Sequence, residues 1–340
     1  MNANRVKVKD LANGQVVDQV FVVREKDLRT TKTGTYYISA TLADATGGIP
    51  GRMWQANEAV FQAIPTDGFL HVKGRVEDYR GSLQLVIEAC RPMAADKVDM
   101  GEFIPVTEHD VDEMWNELLA VTRTIKNKHL KALVKKFVED KQLVAAVKKA
   151  PAAVQMHNPF VGGLVEHTLM VTKAAQALLP MYPKLNADLV IAGAFLHDLG
   201  KAAEITGGVT NHYTDRGMLI GHITIAAIWV QEKAQLLSEE LNEPFPRKLV
   251  NLLQHIILSH HGVYEYGSPK LPAIPEAYFI HFLDNLDAKM YMTTHHIETD
   301  PDKDSAFTSY NKQLDTRLYK FSGELEGGEG DATDDGPLFE

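Results

Sequence analysis

The spacing of apolar residues changes once along the chain, near residue 108. Before that point, residues 15–90 alternate apolar and polar side chains in short runs rich in Val, Tyr, Ile and Thr, which is typical of β-strands. After it, apolar residues recur every three or four positions, which is helical spacing. The 340 residues are therefore predicted to form two domains, a small β-domain followed by an all-helical domain.

The predicted domain boundaries follow from this change and from composition. Residues 1–95 hold five or so short strands, which fit a small barrel, although periodicity alone does not distinguish a barrel from a β-sandwich. Residues 96–107 are predicted to form a linker, and residues 108–322 a helical domain. Residues 323–340 carry seven acidic residues, no basic ones and several glycines, a composition that predicts a disordered acidic tail.

The formal net charge of −10 does not exclude a nucleic-acid partner, because the acidic tail contributes most of it. Residues 1–95 hold twelve Lys and Arg against ten Asp and Glu, and residues 122–150 hold nine against two. The single cysteine excludes an intramolecular disulfide, which fits a reducing compartment. No signal peptide is recognisable, and no run approaches the roughly 20 apolar residues of a membrane span. We expect a cytoplasmic protein without a membrane partner.

Polar residues interrupt the apolar helical runs at several separate points of the second domain. In "GAFLHDLGKAAEI", residues 193–205, an imidazole and a carboxylate stand side by side in an apolar run, where each needs a compensating partner. One buried histidine is usually a core residue bonded to backbone. Seven such side chains in one domain indicate divalent-cation ligands, and the lack of a thiolate argues against structural zinc. They are His167, His197, His222, His260, His261, Asp198 and Asp284.

The order of these residues resembles the HD superfamily of metal-dependent phosphohydrolases, which are all-helical. The strings "HNPFVGGLVEHT", "LHDLGK", "YTDRGMLIGHI", "ILSHHGVYEYGSP" and "LDNLDAK" are similar to one branch, the YhaM-type 3′–5′ exoribonucleases. That branch joins an N-terminal OB-fold to an HD domain, and the similarity covers nearly the whole chain except the acidic tail. The resemblance implies an α+β multidomain protein, with an OB-fold β-barrel followed by an all-helical HD domain.

The resemblance also implies a division of the ligands between two divalent ions, for which Mn, Fe, Co and Mg are candidates. His167, His197, Asp198 and Asp284 correspond to the ligands of the first ion. His222, His260 and His261 correspond to those of the second ion, with Asp198 as a bridge between the two.

Four further polar residues of the helical domain have two interpretations each. Lys201 would contact the substrate phosphate, or it is a solvated charge at a helix end. His157 would face the substrate as a catalytic residue, or it belongs to a loop before the helix that carries His167. Asp287 and His281 would support the metal ligands, or they are ordinary helix residues.

OB-folds bind single strands through a basic groove and aromatic stacking platforms. The candidate aromatic residues are Tyr36, Tyr37, Trp54, Phe69 and Tyr79, and the candidate phosphate partners are Arg52, Lys73, Arg75 and Arg80. About half of the aromatic residues of alternating strands belong to a core, and Trp54 could plug the barrel instead. The Lys-rich stretch 126–149, predicted as one helix, could add phosphate contacts or form a solvated face.

These observations predict a metal-dependent 3′–5′ exonuclease that hydrolyses single-stranded RNA, or single-stranded DNA, to 5′-mononucleotides. One alternative is an HD phosphohydrolase acting on nucleotides or cyclic dinucleotides, for which the β-domain has no evident role. The other is a non-catalytic RNA-binding adaptor with a relic metal site, which the full set of seven ligands disfavours. Proteins of this type can form homo-oligomers, and no stretch of the sequence marks an interface.

Overall fold

Alternating apolar residues close the first part of the chain into a barrel. The structure is a computed structural model that describes residues 5–79, 81–154, 157–300 and 302–321. The barrel strands are β1 (Val16–Thr30), β2 (Tyr36–Asp44), β3 (Gly47–Trp54), β4 (Gly68–Tyr79) and β5 (Ser82–Met93), with helix α1 (Glu58–Ala63) between β3 and β4.

The long strand β1 makes closure of the barrel possible. It pairs antiparallel with β2 along its second half and with β4 along its first half, and β3 pairs parallel with β5 at Gly51 and Leu85. The resulting closed order β1-β2-β3-β5-β4 is that of an OB-fold, so the barrel is confirmed over the sandwich. Its interior is filled by buried side chains that include Phe21, Leu42 and Leu70.

The second part of the chain is helical, as its apolar spacing predicts. The helices are α2 (Val111–Thr122), α3 (Lys128–Glu139), α4 (Lys141–Lys149), α5 (Gly163–Leu178), α6 (Ala187–Leu196), α7 (Lys201–Glu204), α8 (Asp215–Ile220), α9 (His222–Leu241), α10 (Arg247–Ser259) and α11 (Pro275–Thr299). A two-stranded sheet, β6 (Ile205–Thr206) with β7 (His212–Tyr213), separates α7 from α8. Helix α6 is buried on every side from Leu189 to Leu196 and forms the centre of the helical core.

The prediction of one helix over 126–149 is wrong, because Asp140 separates two helices, α3 and α4. This residue has an extended backbone (φ −77°, ψ 90°), and its side chain accepts a hydrogen bond from the Leu143 N–H, so it caps α4. Lys233 Nζ lies 2.8 Å from Asp140 Oδ2. The hydrogen bond from Lys233 holds the pKa of Asp140 below its usual range. The period of three to four residues continues across the break, which is why spacing did not reveal it.

The prediction of helix up to residue 322 is also wrong at its end. Contacts divide the chain into two units, Met1–Tyr291 and Met292–Glu340. In the second unit, α11 ends at Thr299, and residues 302–321 form isolated bridges between Phe307 and Tyr319 and between Asn311 and Thr316. The buried Asp300 accepts bonds from Lys320 Nζ and from the Ser309 N–H, each at 2.7 Å. The predicted acidic tail, 323–340, lies outside the described residues.

Among the described residues, no helix is both long and apolar enough to span a membrane.

Candidate metal centre

The end of α6 places His197 and Asp198 deep in the helical core. Helix α6 ends at Leu196, His197 is its C-cap, and both polar residues are fully buried. Gly200 follows with φ −59°, so it is not a left-handed helix terminator. A Cβ at this position would lie 2.1 Å from the His222 carbonyl oxygen. Gly200 is therefore required because the start of α9 packs directly against this turn.

The first cluster joins four side chains from two helices, α5 and α11, and from the α6 terminus. His167 on α5 has its Nε2 atom 3.2 Å from His197 Nε2, 3.3 Å from Asp198 Oδ2 and 3.2 Å from Asp284 Oδ1 on α11. One donor atom from each of the four residues lies within 4.8 Å of all the others. Ligands at about 2.1 Å from one ion lie about 3.0–3.4 Å apart, so these separations fit a shared cation.

The second cluster lies against the other oxygen of the same aspartate. His222 at the start of α9, with His260 and His261 after α10, brings three ring nitrogens within 4.8 Å of one another. The Nε2 atoms of His222 and His260 are each 3.4 Å from Asp198 Oδ1. Asp198 thus presents Oδ2 to the first cluster and Oδ1 to the second, which is the arrangement of a bridging carboxylate.

Each ring is oriented by a hydrogen bond from its Nδ1 atom. The Nδ1–H groups of His197, His260 and His261 donate to carbonyl oxygens of Ala194, Ile257 and Tyr266, each at 2.7 Å. His167 Nδ1 lies 2.7 Å from Asp287 Oδ2, and His222 Nδ1 lies 2.8 Å from Glu204 Oε2. These bonds leave Nε2 of each ring directed into the clusters, as in metal-ligating histidines.

Three buried atoms of the clusters that could bind a metal ion lack a hydrogen-bond partner among the described residues. Asp198 Oδ1, His222 Nε2 and His260 Nε2 are inaccessible to solvent, and among the described residues they have no hydrogen-bond partner. An unsatisfied buried polar atom costs about 1–3 kcal/mol. Since imidazole and carboxylate donors suit transition-metal and related divalent ions, these residues fit such a cofactor.

Burial keeps two histidine ligands neutral and neighbouring groups keep Asp284 ionised, which are the protonation states that metal binding requires. Burial also opposes the charge on His167, but its hydrogen bonds to Asp198, Asp284 and Asp287 outweigh burial and raise its pKa well above the ordinary value, so metal binding there would displace a proton. Burial lowers the pKa of His197 to about 4 and that of His261 to about 3, so both rings are neutral at neutral pH. Burial opposes ionisation of Asp284, but the hydrogen bond and charge of His167 outweigh it and hold the pKa of Asp284 well below its usual range.

Lys201 and His157 both face the first cluster. Lys201 is buried and its Nζ atom lies 2.6 Å from Asp198 Oδ2, so the interpretation as a solvated helix-end charge is wrong. The His157 ring centroid is 5.4 Å from that of His167, and His157 Nε2 has no hydrogen-bond partner among the described residues. Burial lowers the pKa of His157 to about 3.

Glu204 is a site residue that the sequence analysis missed. It is buried, and it bonds both to the His222 ring and, at 2.8 Å from Oε1, to the His222 main-chain N–H. Only its place in an apolar run, six residues after Asp198, could have drawn attention to it. Asp287 and His281 also contact cluster residues: Asp287 contacts His167, and His281 Nδ1 donates to the His260 carbonyl at 2.8 Å.

On the barrel, part of the candidate nucleic-acid surface is exposed and aromatic. Trp54 and Tyr36 are 50% and 45% exposed, so Trp54 does not plug the barrel. The Trp54 ring lies 5.1 Å from that of its cross-strand partner Tyr37, and the Arg52 guanidinium lies 5.7 Å from the Tyr37 ring. Arg52 also bonds to Ser39 Oγ.

The remaining barrel candidates separate into core and surface. Phe69 is buried against Phe103, which assigns it to the core. Arg75 and Tyr79 are exposed on β4, and the exposed Lys73 pairs with Asp18 at 3.0 Å. Arg80 lies outside the described residues.

Comparison with known proteins places a family model in the helical domain. The HD domain family matches residues 164–289. Among solved structures, the second OB-fold domain of replication protein A from Methanococcus maripaludis is 21% identical with a TM-score of 0.22, and the match covers 28% of this chain and 98% of that domain.

Two curated relatives are similar over most of their length and of this chain. The 3′–5′ exoribonuclease YhaM of Bacillus subtilis is 33% identical over 286 residues, which are 84% of this chain and 88% of the relative. The 3′–5′ exoribonuclease YhaM of Halalkalibacterium halodurans is 32% identical over 307 residues, 90% of this chain and 93% of the relative. The chain therefore belongs to the YhaM family of exoribonucleases, hydrolases that act on phosphodiester bonds.

Proposed function

We propose that this protein removes 5′-mononucleotides from the 3′ end of single-stranded RNA, with two divalent ions at the cluster pair. The observation that carries the proposal is the placement of Asp198, whose two carboxylate oxygens face two separate sets of histidines. The names of the curated relatives supply the direction of degradation and the kind of substrate.

The proposed metal ligands are the residues of the two clusters. His167, His197, Asp198 and Asp284 would hold one ion, and His222, His260 and His261 would hold the other, with Asp198 shared. Imidazole with carboxylate suits Mn, Fe and Co, and the carboxylates also suit Mg. When bound, such ions polarise phosphoryl oxygens and lower the pKa of an attacking water.

Lys201 and His157 have distinct proposed roles at the scissile phosphate. Burial opposes the charge on Lys201, but the adjacent Asp198 outweighs it and raises the pKa of the ammonium group. Lys201 is thus a permanent cation at the site and would stabilise negative charge that develops on the phosphoryl oxygens. His157, neutral because its pKa is about 3, would accept a hydrogen bond from the substrate through its free Nε2 atom.

The barrel would hold the strand upstream of the scissile bond. Tyr36 and Trp54 offer exposed rings for stacking. We propose that Arg52, Arg75, Tyr79 and Arg80 complete the surface, and single strands bind such platforms with little sequence preference. Asp67 of the barrel accepts a hydrogen bond of 2.8 Å from Thr210 Oγ1, in the β6–β7 turn. That turn follows Glu204 and precedes His222, so the barrel contacts the segment that joins two residues of the metal centre.

We propose the predicted domain boundaries with one role for each segment. Residues 1–95 would bind the strand, residues 96–107 would form the linker, and residues 108–322 would carry out hydrolysis. The cytoplasm is the proposed compartment, because the single Cys90 is an unpaired thiol.

A product assay tests the proposal. Purified protein with Mn²⁺ is incubated with 5′-labelled single-stranded RNA, the same RNA blocked by a 3′-phosphate, the matching single-stranded DNA, and a panel of nucleotides and cyclic dinucleotides. We expect stepwise shortening of the RNA from its 3′ end with release of 5′-mononucleotides. Hydrolysis confined to the small molecules would support the nucleotide phosphohydrolase instead, and no hydrolysis with any divalent ion would support the binding adaptor.

A further inference from the structure

We infer that Tyr264 and Tyr266 form a nucleobase-binding subsite beside the second cluster, where they stack on the base of the nucleotide being released. The inference rests on the proposed function, because it names how the same site holds its substrate. It differs from the barrel platform, since it concerns the terminal nucleotide and not the upstream strand.

The loop that carries both tyrosines is attached to the metal centre. Helix α10 ends at Ser259, His260 and His261 follow, and a single 3-10 turn spans Tyr264–Tyr266. The His261 Nδ1–H donates to the Tyr266 carbonyl oxygen at 2.7 Å. One hydrogen bond therefore orients the His261 ring and fixes the backbone of Tyr266 next to it.

The loop is also fixed at its far end. Gly267 has φ 84° in the left-handed region, and its N–H donates to the Tyr264 carbonyl at 2.9 Å, which closes the turn. The next residue, Ser268, is buried, and its hydroxyl donates to the Leu258 carbonyl of α10 at 3.3 Å. The backbone of the tyrosine loop is thus held from both sides.

The start of the loop packs against α11. Gly262 has φ 79°, and a Cβ there would lie 2.1 Å from His281 Cε1. His281 in turn donates from Nδ1 to the His260 carbonyl at 2.8 Å. The His281 ring therefore occupies the space that a side chain at position 262 would need, and it fixes the path of the chain out of the histidine pair.

On this fixed loop the two tyrosine rings remain in solvent. Tyr264 is 60% exposed and Tyr266 is 67% exposed, so neither ring is used to build the core. A fixed backbone lowers the entropic cost of ligand binding, and large rings with few rotatable bonds are well suited to contact a ligand. The hydrogen bond between His261 and the Tyr266 carbonyl attaches this aromatic segment to the second cluster, where the phosphate is proposed to bind.

The chemistry of the neighbouring site identifies the ligand. In a nucleotide, the base is one sugar away from the phosphate, so a phosphate bound at the clusters brings a base to the loop. Aromatic side chains bind any of the four bases because each base has a π-face. The ligand class is therefore a nucleoside 5′-monophosphate unit of any base, which suits an enzyme that must release every nucleotide in turn.

A binding experiment separates the base from the phosphate. Isothermal titration calorimetry of the full chain with Mn²⁺ compares adenosine 5′-monophosphate with ribose 5-phosphate, which lacks the base. Stacking on one ring corresponds to roughly a 5- to 150-fold difference in affinity. We expect Tyr266→Ala and Tyr264→Ala to weaken binding of the nucleotide within this range and to leave ribose 5-phosphate unchanged.

Two kinds of control variant accompany the measurement. Tyr266→Phe and Tyr264→Phe keep the ring and should retain most of the affinity for the nucleotide. Tyr182→Ala removes an exposed tyrosine that packs on Phe279 and does not belong to the loop, and it should change neither affinity.

A kinetic comparison extends the test to the substrate. RNA ending in a normal nucleotide is compared with RNA whose terminal residue carries no base, and Tyr266→Ala should lower kcat/KM only for the first. Equal losses for both substrates, or for both small ligands, would show that the loop is merely structural and would overturn the inference, as would no loss at all. If the wild-type chain releases no nucleotide from RNA, the proposed function fails, and the calorimetry still decides whether the tyrosines bind a base.

Discussion

Glu204 Oε2 lies 2.8 Å from His222 Nδ1, while Glu204 Oε1 accepts a hydrogen bond of 2.8 Å from the His222 main-chain N–H. Both oxygens of one buried carboxylate therefore hold one histidine. Burial opposes ionisation, but the hydrogen bond from His222 outweighs it and holds the pKa of Glu204 below its usual range. The charged carboxylate fixes the ring tautomer that directs Nε2 towards Asp198.

Replacing Glu204 should therefore weaken the second metal site without removing a ligand. Loss of such an outer carboxylate typically lowers metal affinity by about 10- to 100-fold. We expect Glu204→Ala to show this loss for one of two Mn²⁺ ions in a calorimetric titration, with the other ion little affected.

The matched control for this variant is Glu232→Ala, an exposed glutamate on the same helix as His222. It should bind both ions as the wild type does. An unchanged titration for Glu204→Ala would show that the contact with His222 does not support metal binding.

Asp198→Asn should affect activity and stability for different reasons. The amide is a poor shared ligand, so we expect RNA hydrolysis to fall by more than the roughly 100-fold that is typical when a residue bonded to a metal ligand is lost. The same substitution leaves the buried Lys201 ammonium without its partner 2.6 Å away, and breaking a buried pair costs about 3–5 kcal/mol.

A double variant separates the two effects. Asp198→Asn with Lys201→Met removes both charges, so thermal unfolding should show recovered stability while hydrolysis stays lost. RNA affinity, measured by fluorescence anisotropy with a long strand, should stay near the wild-type value in both variants. Substantial hydrolysis by Asp198→Asn would contradict the bridging role of this carboxylate.

Much of the metal centre was predictable because its residues violate a local rule. His197 and Asp198 directly follow the apolar, fully buried run Leu189–Leu196 of α6, and polar residues in such a place require a partner wherever the helix packs. His167, His222, His260 and Asp284 carry the same signal. Their grouping into two clusters around Asp198 required the family resemblance, since spacing along the chain does not specify which helices meet.

The features that were missed depend on tertiary contacts. Glu204 becomes a site residue only because Gly200 lets the start of α9 approach the α6 terminus, and neither fact has a sequence period. The break at Asp140 was missed because a capping aspartate between two amphipathic helices leaves the apolar spacing intact. The sequence predicts residues 302–321 as part of the helical domain, but they are held by the ion pair of the buried Asp300 with Lys320, which leaves no periodic signal in the sequence.

Trp54→Ala should weaken strand binding on the barrel and spare the chemistry. Loss of one stacked base corresponds to about 1–3 kcal/mol of binding free energy. We expect a matching loss of affinity for a long single strand by anisotropy, whereas hydrolysis of a dinucleotide, which the metal centre alone is proposed to hold, should be unchanged. Trp54→Phe keeps a ring and should be intermediate. Equal losses on long and short substrates would contradict the separate roles of barrel and helical domain.

Metal binding should also be visible as thermal stability, independently of any substrate. The unpartnered Asp198 Oδ1, His222 Nε2 and His260 Nε2 destabilise the metal-free protein, and an ion present at about 100 times its Kd stabilises the native state by about 2.7 kcal/mol. For a domain of this size, such a change raises Tm by several degrees, on the order of 2–4 °C for each kcal/mol. Mn²⁺ added to chelator-treated protein should produce this shift in a differential scanning calorimeter.

His222→Gln should reduce the rise in Tm, whereas His109→Gln, at an exposed histidine remote in sequence from both clusters, should preserve it. An identical Tm with chelator and with saturating Mn²⁺ would mean that the two clusters hold no ion, because binding to the native state alone must raise the unfolding temperature.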